Sequence, residues 1–142
     1  MRIETTRFGF LDLDESIFIN FPWGIPGFEK IKRFVLLEQG EGPFQWLQAV
    51  DEPGVAFVVC PPESLGMKYK VPRDKGEVIG LNQPEDMMVL IMVSFNRERM
   101  NIRPHLRGPL LFNVASRVGY QWSIDSRELQ RYVSEARHVD NA

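Results

Sequence analysis

VGYQWSID, residues 118–125, sets Val118, Tyr120, Trp122 and Ile124 on one side and Gly119, Gln121, Ser123 and Asp125 on the other. Successive side chains of a strand point to opposite faces, so this alternation describes a half-buried β-strand. Just upstream, PLLFNVA, 109–115, reads as a second short strand. Further back lies MMVLIMVSF, 87–95, the most hydrophobic stretch of the chain. It has no polar face and is short for a helix, which makes it the expected central strand. AFVVC, 56–60, is an apolar, β-branched run stopped by Pro61 and Pro62. A strand covered on both faces fits it, although periodicity alone does not separate that from a buried helix. RFVLLE, 33–38, and FQWLQAV, 44–50, flank the glycine-rich turn QGEGP. Near the start, Leu11 and Leu13 alternate with Asp12 and Asp14, and Ile17, Ile19 and Phe21 alternate with Phe18 and Asn20.

Short strands separated by turn signals predict a mainly β fold, a small antiparallel barrel-like single domain spanning 1–142. The stretch 67–86 mixes charge, proline and glycine, and reads as a long connection with a short helical turn. At the other end the period changes. Leu129, Tyr132, Val133 and Ala136 stand at i, i+3, i+4 and i+7, with Asp125 or Ser126 as cap and Glu128 in a capping-box position. This predicts a C-terminal amphipathic helix over 126–137.

The 142 residues carry a formal net charge of −2, with 44% hydrophobic and 25% charged residues. Those values describe an ordinary globular domain with one core. They argue mildly against a general nucleic-acid binder, which usually presents a basic surface. No apolar run approaches the roughly 20 residues of a membrane helix. The start, MRIETTRFGFLDLD, lacks the apolar core of a signal peptide. A cytoplasmic protein is therefore expected.

The inventory of reactive groups is thin. The one cysteine, Cys60, excludes an internal disulfide, and its apolar neighbours suggest a buried thiol at a strand end. The histidines, His105 and His138, lack ligand spacing with any partner. No serine-nucleophile elbow, dinucleotide fingerprint or Walker loop is present. Asp12, Asp14 and Glu15 crowd one strand end, where paired carboxylates could do acid–base work, but a solvated face is the simpler expectation. NRERMNIRPHLRG, 96–108, holds Arg97, Arg99, Arg103 and Arg107 against Glu98. Its expected state is a solvated loop, with an acidic protein partner next and RNA contact third.

FPWGIPGFEK, 21–30, is the least ordinary stretch. Pro22, Gly24, Pro26 and Gly27 forbid a regular helix, yet Phe21, Trp23, Ile25 and Phe28 are core-sized. The bland reading is a sharp turn whose four large side chains plug one end of the barrel.

Several stretches, taken in order, resemble the FliW family of bacterial flagellar assembly factors. The resemblance is carried first by Gly24, Ile25, Pro26, Gly27 and Phe28, followed by Glu29. It continues through RFVLLE, then Pro43, Phe44, Leu47 and Gln48, then Ala56, Phe57 and Pro61. LNQPEDMMVLIMVSF, HLRGPLLFN and YQWSID complete it. His105 and Gly108 depart from the residues, Asn and Ala, that members often have there. The resemblance implies a barrel-like β fold, no enzymatic activity and no cofactor. It also implies action by contact: binding the mRNA-binding translational regulator CsrA, which relieves repression of flagellin synthesis, and binding flagellin in a partner switch. Neither direct nucleic-acid binding nor membrane association is implied. Expected contact positions are Gly24, Ile25, Pro26, Gly27, Phe28, Glu29, Phe44 and Gln48, with the strand from Leu106 through Pro109 to Asn113. A small-molecule-binding barrel, or an enzyme using Asp12 and Asp14, is the alternative.

Overall fold

The computed structural model describes residues 1–38 and 40–135. A hairpin of β1 (Arg2–Thr5) and β2 (Gly9–Asp12) opens the chain. β3 (Ile19–Asn20), β4 (Arg33–Glu38), β5 (Gln45–Ala49) and β6 (Ala56–Cys60) follow. Then come β7 (Met67–Tyr69), α1 (Arg73–Val78), β8 (Met87–Asn96) and β9 (Asn101–Pro104). The last elements are β10 (Leu110–Asn113), β11 (Val118–Gln121), α2 (Leu129–Tyr132) and β12 (Val133–Glu135).

The main sheet has eight strands in the order β10-β11-β3-β4-β5-β6-β8-β9, and β8 also pairs with β10. The sheet thus curls back on itself into a barrel-like wall. Its joint between β11 and β3 is narrow: one parallel register pair, Val118 opposite Asn20. MMVLIMVSF is the shared strand, pairing β6, β9 and β10 in turn. That explains why it is apolar on both faces.

Alternation in β8 sorts two layers. Met88, Leu90 and Met92 belong to the inner cluster with Phe21, Phe34, Leu47 and Phe112. Met87 and Val89 face an outer cluster that includes Ile79, Leu111, Trp122 and Ile124. The barrel interior is filled by side chains. Phe21 meets Phe34 and Phe112 edge-on, with ring centroids 5.1 and 5.8 Å apart, a favoured aromatic geometry. A third cluster packs β1 against Phe18, Val35 and Val50.

Four sequence expectations change. The helix expected over 126–137 exists only as one turn, Leu129–Tyr132, and 133–135 is a strand antiparallel to β7. Asp125 closes a turn instead, accepting from the Arg127 N–H at 2.8 Å. A short helix is marginal alone, and pairing with β7 satisfies the backbone of β-branched Val133 and its neighbours. The turn still brings Tyr132 onto Trp122, centroids 4.9 Å apart. Ala136, Arg137 and His138 lie outside the described residues.

Second, the alternation across 17–21 is broken. Glu15–Ile17 form a 3-10 turn that leaves Ile17 exposed and buries Phe18. Third, 96–108 is not all loop, because 101–104 is β9, paired with the end of β8. Fourth, Trp23 and Phe28 do not plug the barrel; only Phe21 and Ile25 are buried. The strand β1 carried no sequence signal, being short, with Glu4 and Arg2 on its exposed side.

Candidate functional site

The turn 21–31 is held by its own backbone. The Gly24 N–H donates to Phe21 at 2.8 Å, Phe28 to Ile25 at 2.6 Å and Ile31 to Phe28 at 3.0 Å. The Phe21 N–H donates to the Lys32 carbonyl at 2.7 Å, which ties both ends of the segment together. Gly24 has φ +69°, and a Cβ there would lie 2.6 Å from the Glu29 Cα and carbonyl oxygen. Only glycine satisfies both the left-handed backbone and that approach.

With Phe21 and Ile25 anchored inside, the turn lifts its other two aromatics outward. Trp23 is 53% exposed and meets the Tyr120 ring edge-on at 5.6 Å. Phe28 is 39% exposed and meets Phe57 edge-on at 5.1 Å. Pro26, Gly27 and Glu29 are exposed beside them. The Glu29 carboxylate accepts from the Gly27 N–H at 3.0 Å. That bond, with one from its own N–H, holds the carboxyl below its ordinary range. Two exposed aromatics and a carboxylate thus project from one tightly closed loop.

The remaining expected contact positions divide. Gln48 is fully buried, its Nε2 donating to the carbonyls of Ala49, Pro53 and Val55 at 3.0, 3.2 and 3.3 Å. Asn113 is buried too: its Nδ2 donates to Ile79 and Gly80, and its Oδ1 accepts from the N–H groups of Ala115 and Ser116. Both brace turns. Pro109 is buried and gives its carbonyl to the Trp122 N–H at 3.0 Å. Gly24 and Ile25 are buried within the turn, while Phe44 and Leu106 are half-buried. The Leu106 carbonyl accepts the Tyr69 hydroxyl at 2.5 Å, and burial raises the Tyr69 pKa. The accessible part of the expected set is therefore Pro26, Gly27, Phe28 and Glu29. Sequence reasoning placed Trp23 in the core. Its signal was available, since a Trp between Pro22 and Gly24 sits where the chain reverses and cannot share a strand face with Phe21.

The reactive groups stay apart. Asp12, Asp14 and Glu15 are exposed, and the Asp14 carboxylate accepts from the Ser16 N–H at 2.9 Å, which lowers its pKa. Cys60 is buried, and desolvation pushes its thiol pKa up, the opposite of a reactive thiolate. His105 Nε2 meets Ser94 Oγ at 2.7 Å on the exposed surface. Among the described residues no three His, Cys, Asp or Glu side chains come together as a metal site. No helix among them is long and apolar enough to cross a membrane. A cleft of about 480 Å³ lies outside the barrel between α1 and the start of β8, lined by Val71, Arg73, Glu77, Leu81 and Met87 among others.

These features define a barrel-like β module that carries two exposed aromatics on one closed turn. The family model described as FliW protein matches residues 2–133, and the chain belongs to the FliW family. A flagellar assembly factor FliW from Syntrophus aciditrophicus is 36% identical over 136 residues, covering 93% of this chain and 86% of the relative. Its counterpart from Azoarcus sp. is 37% identical over 130 residues, covering 85% and 89%. A crystal structure of the flagellar assembly factor FliW superposes with a TM-score of 0.81 at 27% identity, covering 96% of each chain.

Proposed function

We propose that this chain acts in the cytoplasm as a non-catalytic regulator of flagellar assembly. It binds a CsrA-type translational regulator, which relieves repression of flagellin translation, and it binds flagellin in exchange. The observation that carries this reading is membership of the flagellar assembly factor family over nearly the whole chain. The exposed pair Trp23 and Phe28 on a rigid turn supports action by contact. A net charge of −2 suits a partner that holds RNA and is therefore basic, since complementary charge raises the association rate. The switch operates by linkage: whichever partner is abundant withdraws the chain from the other. No cofactor, membrane or direct nucleic-acid contact enters this mechanism.

Calorimetry with a purified CsrA-type regulator and with flagellin, each alone and then in competition, tests the proposal. Binding of both, with one displacing the other, is the expected result. Loss of affinity in Trp23→Ala and Phe28→Ala without a lower melting temperature would place the contact on the turn. Absence of binding to either protein at tens of micromolar refutes the proposal.

A further inference from the structure

The outer end of the β8–β9 hairpin is built unlike the rest of the sheet. The inward positions of β8 run Met88, Leu90 and Met92, then change to Ser94 and Asn96. That change marks where the strand leaves the barrel. Register sets Val93 opposite Pro104 and Phe95 opposite Ile102. These four share one face, because paired residues of an antiparallel ladder point the same way. Ser94 opposite Arg103 and Asn96 opposite Asn101 share the other. The apolar face is open to solvent, with Phe95 57% and Ile102 38% exposed.

Among the described residues β9 is the last strand of the sheet and pairs only with β8. The His105 N–H donates to the Met92 carbonyl at 2.9 Å. Bonded and non-bonded pairs alternate in an antiparallel ladder. Arg103 and Asn101 therefore direct their backbone groups to β8, while the Ile102 N–H and carbonyl and the Pro104 carbonyl point to the free edge. Proline fits there because its missing N–H falls outside the ladder. Arg97, Arg99 and Arg103 are exposed, and among the described residues none of their guanidinium groups has an ion-pair or hydrogen-bond partner. The free edge, the apolar face and the unpaired positive charge lie on one hairpin.

We propose that β9 takes up an extended, acidic segment of a partner protein by strand addition. The segment alternates apolar and acidic residues. Its apolar side chains extend the face of Phe95 and Ile102, and its carboxylates lie beside Arg103 on the opposite face. Backbone bonds to Ile102 and Pro104 fix its register, and Arg97 and Arg99 at the hairpin tip draw it in. A single-stranded nucleic acid would satisfy the arginines, and Phe95 offers one ring for a base, but the outward N–H and carbonyl of Ile102 match a peptide backbone, and a chain of net charge −2 lacks the basic surface of a nucleic-acid binder. This surface goes beyond the aromatic turn and stands without it.

A labelled peptide alternating valine and glutamate, titrated into the full-length chain by fluorescence anisotropy, tests the proposal. Saturable binding that weakens from low to high salt is expected, with Arg103→Glu reducing affinity at least about fivefold. N-methylating the peptide amides on the edge facing β9 keeps every side chain and should abolish binding. Ile102→Pro removes the outward N–H without touching the β8 ladder and should do the same, with the melting temperature as the folding control. No saturation overturns the proposal. So does equal binding of the N-methylated peptide, or tighter binding of a valine–lysine peptide. Binding of labelled oligouridine without binding of the acidic peptide would assign the edge to nucleic acid and overturn it. A concentration-dependent dimer lost in Phe95→Ser would assign it to a second copy of the chain, with the same consequence.

Discussion

Replacing Gly119 by alanine should destabilise the protein through a single collision. A Cβ at this position would lie 2.5, 2.7 and 2.9 Å from Cζ, Cε1 and Cε2 of Phe21. The Phe21 ring is fully buried and cannot retreat, because Phe34 and Phe112 pack edge-on against it at 5.1 and 5.8 Å. Gly119 is not among the residues with positive φ, so backbone strain plays no part. Overpacking a filled core costs about 1–3 kcal/mol. The methyl offsets about 0.4–1 kcal/mol by restricting the unfolded chain. A collision with three ring atoms belongs at the upper end, so the net loss is about 2 kcal/mol. At about 3 °C per kcal/mol for a chain of this size, the melting temperature falls by about 6 °C. Phe21→Leu alone costs about 1–2 kcal/mol for the volume it removes. In the double variant the shorter side chain makes room for the methyl, and the combined loss is about 1–2 kcal/mol less than the sum. Urea denaturation followed by tryptophan fluorescence measures all four corners of the cycle. Strict additivity, or an unchanged midpoint for Gly119→Ala, would refute the reasoning.

Gly24→Ala should cost clearly more than Gly27→Ala, although both glycines have positive φ, +69° and +90°. The first meets the Glu29 backbone at 2.6 Å and the second meets nothing within 4 Å, so denaturation midpoints should separate the two; equal losses would contradict the close approach. The lowered Glu29 carboxyl makes a pH prediction with a definite sign. A depressed folded-state pKa gives stability that is present above the unfolded value, near 4.5, and lost as pH falls through the folded value. Wild type should therefore exceed Glu29→Gln in melting temperature at neutral pH and lose that lead on acidification below the same value. An NMR titration midpoint for Glu29 at or above it would remove the basis of this prediction.

Much of the wall was legible in the sequence because a strand's side-chain period is local. VGYQWSID declares its faces by alternation, RFVLLE, AFVVC and MMVLIMVSF read as strands from short apolar runs, and the structure places strands in all four. The ordered motifs from GIPGF to YQWSID were also enough to point to the family. Two kinds of decision lay outside that local code. One was the fate of 133–135, where helical spacing yielded to a strand partner more than sixty residues upstream. The other was which large side chains of FPWGIPGFEK go inward. Composition made all four candidates equal. The close approach of Gly24 to Glu29 and the ring of Phe21 against Gly119 admit Phe21 and Ile25 and turn Trp23 and Phe28 outward. The same holds for Gln48 and Asn113, polar residues that the fold buries to brace turns rather than leave for a partner. The sequence determined which segments could be strands and which positions could turn. Tertiary structure decided which grease is core and which is surface, because burial depends on what the rest of the chain brings to each face.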